Sequence, residues 1–290
     1  MQPPSSVEHS EPPGSDAEPS LQPQETELKE EPSDPGAAGA VDTHCHLFLM
    51  EENPAEVVAA ARRAGVAQLI CVGIDPDSSR KSRELAESFR GVFATAGVHP
   101  HTASEFDRRA GSIIEELAAD PLIVAIGETG LDYYRRLSPA EDQHRAFRSH
   151  IALSREAGKP LVVHVRDAWD DALGILAEEA AERVVLHCFS GDQLVAKEAE
   201  ARGYFMSFAG NVTYPNAESL RAAAASVGAG HLLAETDSPF LTPQATRGSP
   251  NSPANLILSL QELATIRGLN LDQMVEVTTK AAARAFPLIR

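Results

Sequence analysis

Residues 40–48 read AVDTHCHLF, an apolar start that runs into Asp42, Thr43, His44, Cys45 and His46. In an extended chain residues two apart share a face. His44 and His46 are therefore expected to point the same way from the end of a first strand. An open doubly wound sheet would place a glycine-rich phosphate loop after that strand. Histidines stand there instead, and the reading turns to a closed barrel.

Outward from this stretch, short apolar runs alternate with Ala/Glu/Arg-rich segments of helical period. The further strand candidates are QLICVGI (68–74), VFATAGVHP (92–100), LIVAIGETGLDY (122–133), PLVVHVRD (160–167), RVVLHCFS (183–190), YFMSFAGNV (204–212) and HLLAETDSPFL (231–241). Helical segments lie between them, such as PAEVVAAARRAG (54–65) and SPAEDQHRAFRSHIALSREAG (138–158). Gly65, Gly158 and Gly203 sit where helices should end, because glycine accepts the left-handed conformation that closes a helix. Near-continuous apolar strands alternating with amphipathic helices specify a parallel sheet. Eight such units over about 250 residues give an α/β fold, a (β/α)8 TIM barrel.

Barrel enzymes build their sites at the C-terminal ends of the strands. Polar residues gather there in this chain: His44 and His46 on strand one, Glu128 on strand four, His164 on five, His187 on six, and the Glu235-Thr236-Asp237 run on eight. Four imidazoles and two carboxylates at one mouth are too much ionisable surface to bury without compensation. Metal binding accounts for it, and six ligands suit two ions that share a carboxylate. Imidazole-rich ligation accepts Zn or Mn, and carboxylates with a phosphate substrate also accept Mg.

The motifs VDTHCHL, GVHPH, IGETGLDYY, VVHVRD, HCFSG, ETDSPFL and RGSPNSP (the pattern R-G-x-x-N-x-P) run in order from Val41 to Pro253. In these the chain resembles the TatD-family metal-dependent hydrolases, TatD-type deoxyribonucleases within the amidohydrolase-like barrels. The resemblance implies two divalent ions per chain, with His44, His46 and Asp237 on the first, His164 and His187 on the second, and Glu128 bridging. It implies an enzyme that hydrolyses phosphodiester bonds with a water activated by both ions, exonuclease-like, on DNA single strands or ends. Asp237 is expected to orient that water and accept its proton, and His99 to contact the substrate phosphate. Arg166 and Arg247 are further phosphate contacts, since a guanidinium matches phosphate geometry. His101 is read as a loop residue, and Asp132 and Tyr133 as lining or support. Trp169 and Tyr214 are read as packing residues that are also able to stack on a base. The family commonly has an acidic residue where Phe48 stands. The alternative substrate is an ester or amide such as an aminoacyl-tRNA linkage, but dinuclear barrels of that kind often bridge their metals with a carboxylated lysine, where this chain has Glu128.

The formal charge is −17. Nine acids and one lysine in residues 1–40 account for −8 of it, leaving −9 on the remainder. An acidic barrel repels a phosphate backbone unless metal ions or local arginines reverse the field. Contact with nucleic acid is therefore expected to be local and metal-assisted rather than broad. Residues 1–38, rich in Pro, Ser and Glu, cannot bury enough apolar surface to offset ordering and are read as a disordered tail before a barrel of residues 39–290. Three cysteines without a CxxC pair, no signal-peptide pattern and no apolar run of membrane-spanning length indicate a reduced, cytoplasmic protein.

Overall fold

A computed structural model describes residues 39–287 and 289; the tail expected over residues 1–38 lies outside them. Eight parallel strands follow one another round the sheet in chain order. They are β1 (Ala40–Cys45), β2 (Val66–Val72), β3 (Val92–Ala96), β4 (Ile123–Asp132), β5 (Leu161–Arg166), β6 (Val184–Leu186), β7 (Phe205–Phe208) and β8 (Leu232–Ala234). The last strand returns to the first through a parallel bridge between Cys45 and Ser238. Backbone bonds from Asp237 N to His44 O and from His46 N to Ser238 O close the seam. The TIM barrel read from the alternation is thus the fold.

Helices α1 (Pro54–Arg63), α2 (Pro76–Ser88), α3 (Arg108–Ala118), α4 (Ala140–Ala157), α5 (Trp169–Glu178), α6 (Gln193–Ala201) and α7 (Glu218–Ser226) follow β1 to β7, and α8 (Leu256–Arg267) and α9 (Leu271–Ala285) follow β8. Their starts obey capping chemistry: Asn53, Asp75, Asp107, Asp192 and Asn270 each accept a backbone N–H of the first turn. Gly65, Gly158 and Gly203 all take positive φ, the conformation for which glycine was expected there.

Two apolar clusters separate the barrel's faces. Leu69, Cys71, Leu161, Val163 and their like pack outward against the helices. Val41, Ile70, Val124, Val162, Val185, Phe205 and Leu233 form the interior, joined by Ala281, Ala285 and Phe286 from the C-terminal helix. The period of two then sets the site. His164 follows Val162 by two residues, His187 follows Val185, and Glu235 follows Leu233, so each polar group stands one step above an interior apolar one.

Two strands are shorter than their apolar runs suggest. β6 stops at Leu186 and β8 at Ala234, leaving His187 and Glu235 to Asp237 on the turns beyond. Those turns contain Cys188 and Asp237 at positive φ, 43° and 53°. Such conformations are costly for residues other than glycine and persist only where neighbours fix them. Here Glu235 accepts the Cys188 N–H at 2.7 Å, and Asp42 accepts the Thr236 N–H at 2.9 Å and its hydroxyl at 2.6 Å.

Candidate metal centre

Glu128 stands at the centre of the mouth, buried, with its two oxygens facing different partners. Oε2 lies 3.3 Å from His44 Nε2 and 3.9 Å from His46 Nε2. Oε1 lies 3.1 Å from His164 Nδ1, 2.8 Å from His187 Nε2 and 3.2 Å from His99 Nε2. Asp237 Oδ1 adds a second carboxylate to the first group, 3.5 Å from His46 and 3.8 Å from His44. All six residues read as ligands from the sequence converge here, and His99 joins them. Gly130 makes the approach of β4 to β5 possible: at φ 133° a Cβ there would come within 2.1 Å of the His164 carbonyl oxygen.

Hydrogen bonds on the far side of each ring decide which nitrogen faces inward with a free lone pair. The Val72 carbonyl can only accept, so His46 carries its proton on Nδ1, 2.9 Å away. Its bare Nε2 then points at His44 Nε2, 3.2 Å off. His187 donates Nδ1–H to Glu235 at 3.2 Å, and His164 donates Nε2–H to Asp132 at 3.3 Å. Their inner nitrogens face each other 3.3 Å apart. His99 differs. Its Nδ1 accepts the backbone N–H of His101 at 3.1 Å, so its proton sits on Nε2 and is aimed at Glu128. It enters the site as a hydrogen-bond donor, whereas His46, His164 and His187 have their outer nitrogens engaged and turn the inner ones toward the site.

The electrostatics ask for added positive charge. Burial alone would raise Glu128, yet His187, His99 and His44 hold it well below the usual carboxylate range. Burial alone would lower His187, but Glu128 and Glu235 carry it well above its ordinary value. His99, buried against the partial pull of Glu128, falls to about 4. Burial pushes Asp42 up to about 7 despite its hydrogen bonds to Thr236. His44 Nδ1 and one oxygen of Glu235 are buried without a partner. Inward-facing imidazole nitrogens, two inward carboxylates and orphaned buried atoms form a nitrogen–oxygen donor set of the kind divalent cations take, in which a bound cation would replace the protons the carboxylates now hold on the rings. Two triads, His44/His46/Glu128 and His44/His187/Asp237, bring ligand atoms within 4.8 Å of one another, and His99 lies as near to Glu128 and His164.

Glu235, given no role in the sequence reading, and Asp132, read there as lining or support, are both integral to the arrangement. Glu235 orients His187, and the period of two from Leu233 was the signal for it. Asp132 turns out to hold two imidazoles, His164 and, at 2.8 Å, His101. His101 is therefore tied to the site rather than free in a loop. Trp169 packs on Phe189, ring centroids 5.0 Å apart, in keeping with a packing role. Arg166 and Arg247 stand at the rim, outside the imidazole cluster, each stacked on a tyrosine: Arg166 over Tyr134 at 4.0 Å and Arg247 over Tyr214 at 4.2 Å. Phe48, in the place of the family's acidic residue, packs edge-on against His46 at 5.7 Å. Asn251 of the RGSPNSP segment is buried and donates to the carbonyls of Thr236 and Phe240, bracing the turn that carries Asp237.

Comparison with known proteins places this geometry. Residues 41–287 match the family model described as TatD related DNase. A metal-dependent hydrolase of Bacillus subtilis, YabD, is 35% identical over 249 residues, covering 84% of this chain and 98% of its own. The 3'-5' ssDNA/RNA exonuclease TatD of Klebsiella pneumoniae is 36% identical over 236 residues, covering 79% and 89%. The crystal structure of the TatD homologue YJJV from Escherichia coli K12 superimposes with a TM-score of 0.80 at 25% identity, covering 86% of this chain and 98% of that one. The family match begins one residue into β1 and ends two residues past α9, so it takes in every strand and helix described: the chain is a member of the TatD-related DNase family, a metal-dependent hydrolase.

Proposed function

We propose that the cluster holds two divalent ions, Mg, Mn or Zn, and that the enzyme cleaves phosphodiester bonds of single-stranded nucleic acid from an end. The observation that carries this reading is the division of Glu128, one oxygen toward His44 and His46 and the other toward His164 and His187. His44, His46 and Asp237 would hold the first ion and His164 and His187 the second, and Glu128 would serve both. Bound there, the ions supply Lewis acidity to a phosphoryl oxygen and lower the pKa of water.

The remaining work falls to side chains. Asp237 orients the attacking water and accepts its proton. Its side chain is 13% exposed and that of Glu128 3%, so Asp237 is the more accessible of the two carboxylates. Burial would raise it, but the nearby imidazoles of His46, His187 and His44 keep it below its ordinary value and ionised at neutral pH. His99, with its proton on Nε2, donates to a non-bridging phosphate oxygen. Arg166 and Arg247 meet flanking phosphates from the rim. The relatives named as 3'-5' ssDNA/RNA exonucleases support the choice of substrate and of attack from an end. Three free cysteines, two of them buried, suit the reducing cytoplasm. Among the described residues no helix is long and apolar enough to cross a membrane.

Metal analysis tests the assignment. Full-length protein loaded with Mn should hold two ions per chain, and Glu128→Ala fewer than one with the barrel still folded by circular dichroism. Two tightly held ions in the variant would refute Glu128 as the bridge.

A further inference from the structure

Five large apolar side chains are exposed among the described residues: Leu49, Tyr134, Leu137, Leu194 and Phe240. Each lies between the end of a strand and the first turn of the helix that follows. All five therefore stand on the face that carries the metal centre.

Two of them, Tyr134 and Leu137, flank Arg135 and Arg136 in the single loop between β4 and α4. Arg166, the last residue of β5, lays its guanidinium over the Tyr134 ring at 4.0 Å, and the tyrosine is still 61% exposed. None of Arg135, Arg136 and Arg166 has an ion pair among the described residues, so a phosphate would meet no internal carboxylate competing for them. The adjoining arc of the mouth, over β1 to β3, carries acids in its loops. The loops after β1, β2 and β3 carry Glu51, Glu52, Asp75, Glu105 and Asp107 and no lysine or arginine before Arg108 and Arg109 open α3, whereas the loops after β4 and β5 carry a single acid, Asp167. The cationic loop is also fixed to the centre: Asp132, which holds His164 through Oδ2, accepts the Arg135 N–H through Oδ1 at 2.7 Å.

We infer that this edge is the track for the nucleotides next to the scissile one. A single strand crosses the mouth at β4 and β5, a base stacked on Tyr134 and its phosphates against Arg135, Arg136 and Arg166, and keeps away from the acidic arc over β1 to β3. Unpaired bases offer their faces to such a platform, whereas a duplex has already used them in stacking on one another. The inference rests on the phosphodiester reading given above.

The test compares metal-loaded full-length wild type, Tyr134→Ala and Arg135→Ser on two substrates. One is a dodecathymidylate; the other is thymidine 5'-(p-nitrophenyl phosphate), which fills the centre but has nothing to lay on the track. In Tyr134→Ala the ratio of KM for the strand to KM for the small diester should rise about tenfold, as loss of one stacked base requires. In Arg135→Ser the slope of log kcat/KM for the strand against log salt should fall by about 0.7. A KM ratio and a salt slope both unchanged overturn the track, as does an equal loss on both substrates. Wild type that cleaves the small diester but not the strand also overturns it, while leaving phosphodiester chemistry standing. Wild type that holds two ions and cleaves neither removes the underlying reading, and the track with it.

Discussion

At the scale of single residues, the position of one proton separates a metal ligand from a substrate contact. His46 has its proton drawn outward by the Val72 carbonyl, and His99 has its proton held inward by the His101 amide. His99→Ala should therefore keep both ions and lose about 100-fold in kcat/KM, the usual loss for one donor to developing negative charge. Metal analysis beside kinetics checks it, and loss of an ion would make His99 a ligand instead. Glu235 and Asp132 act through the rings they orient. Glu235→Gln should weaken metal affinity by about 10- to 100-fold without unfolding, as read by competition with a fluorescent chelator. Unchanged affinity would reduce Glu235 to a brace for Cys188. The spacing of His44 and His46 was open to sequence reading because a strand's period of two is fixed by geometry. The turn of Asp237 was not, since nothing in ETDSP announces a left-handed aspartate, and only the family resemblance pointed to it.

At the scale of elements, α4 supports the site from behind. His150 on this helix is buried, donates Nδ1–H to Ala146 O at 2.7 Å and accepts the Val98 N–H at 3.0 Å, one residue before His99. Burial lowers its pKa from 6.5 to about 4. A histidine depressed in the folded state is protonated first in the unfolded chain. Stability is then full above pH 6.5 and declines as the pH falls towards 4, by about 3 kcal/mol for this group. Urea midpoints between pH 7 and 4.5 should fall less steeply in His150→Gln than in wild type, and parallel curves would contradict the assignment. The strands themselves were largely legible, because buried parallel strands read as apolar runs. The ends of β6 and β8 were not: HCF and ETD continue the apolar or extended texture, while the backbone there is already turning under the hold of Glu235 and Asp42.

Over the whole molecule, charge is distributed against the simple expectation for an enzyme of nucleic acid. The net charge is −17, of which −8 lies in residues 1–40, so affinity for phosphate has to come from bound cations and a few rim arginines rather than from a basic surface. The barrel and the ligand cluster follow from apolar periodicity and from polar residues at strand ends, both one-dimensional patterns. Partners brought together from distant strands, such as Asp132 with His101 or Asn251 with Thr236, exist only once the barrel has closed. The central claim is that the cluster is a hydrolytic centre for phosphodiesters, and it is tested most directly on end-labelled single-stranded DNA with Mg or Mn, wild type beside Glu128→Ala. The account predicts a ladder that shortens from one end in the presence of metal and is absent in the variant; intact DNA from wild type confirmed to hold two ions, or an equal ladder from Glu128→Ala, would contradict it.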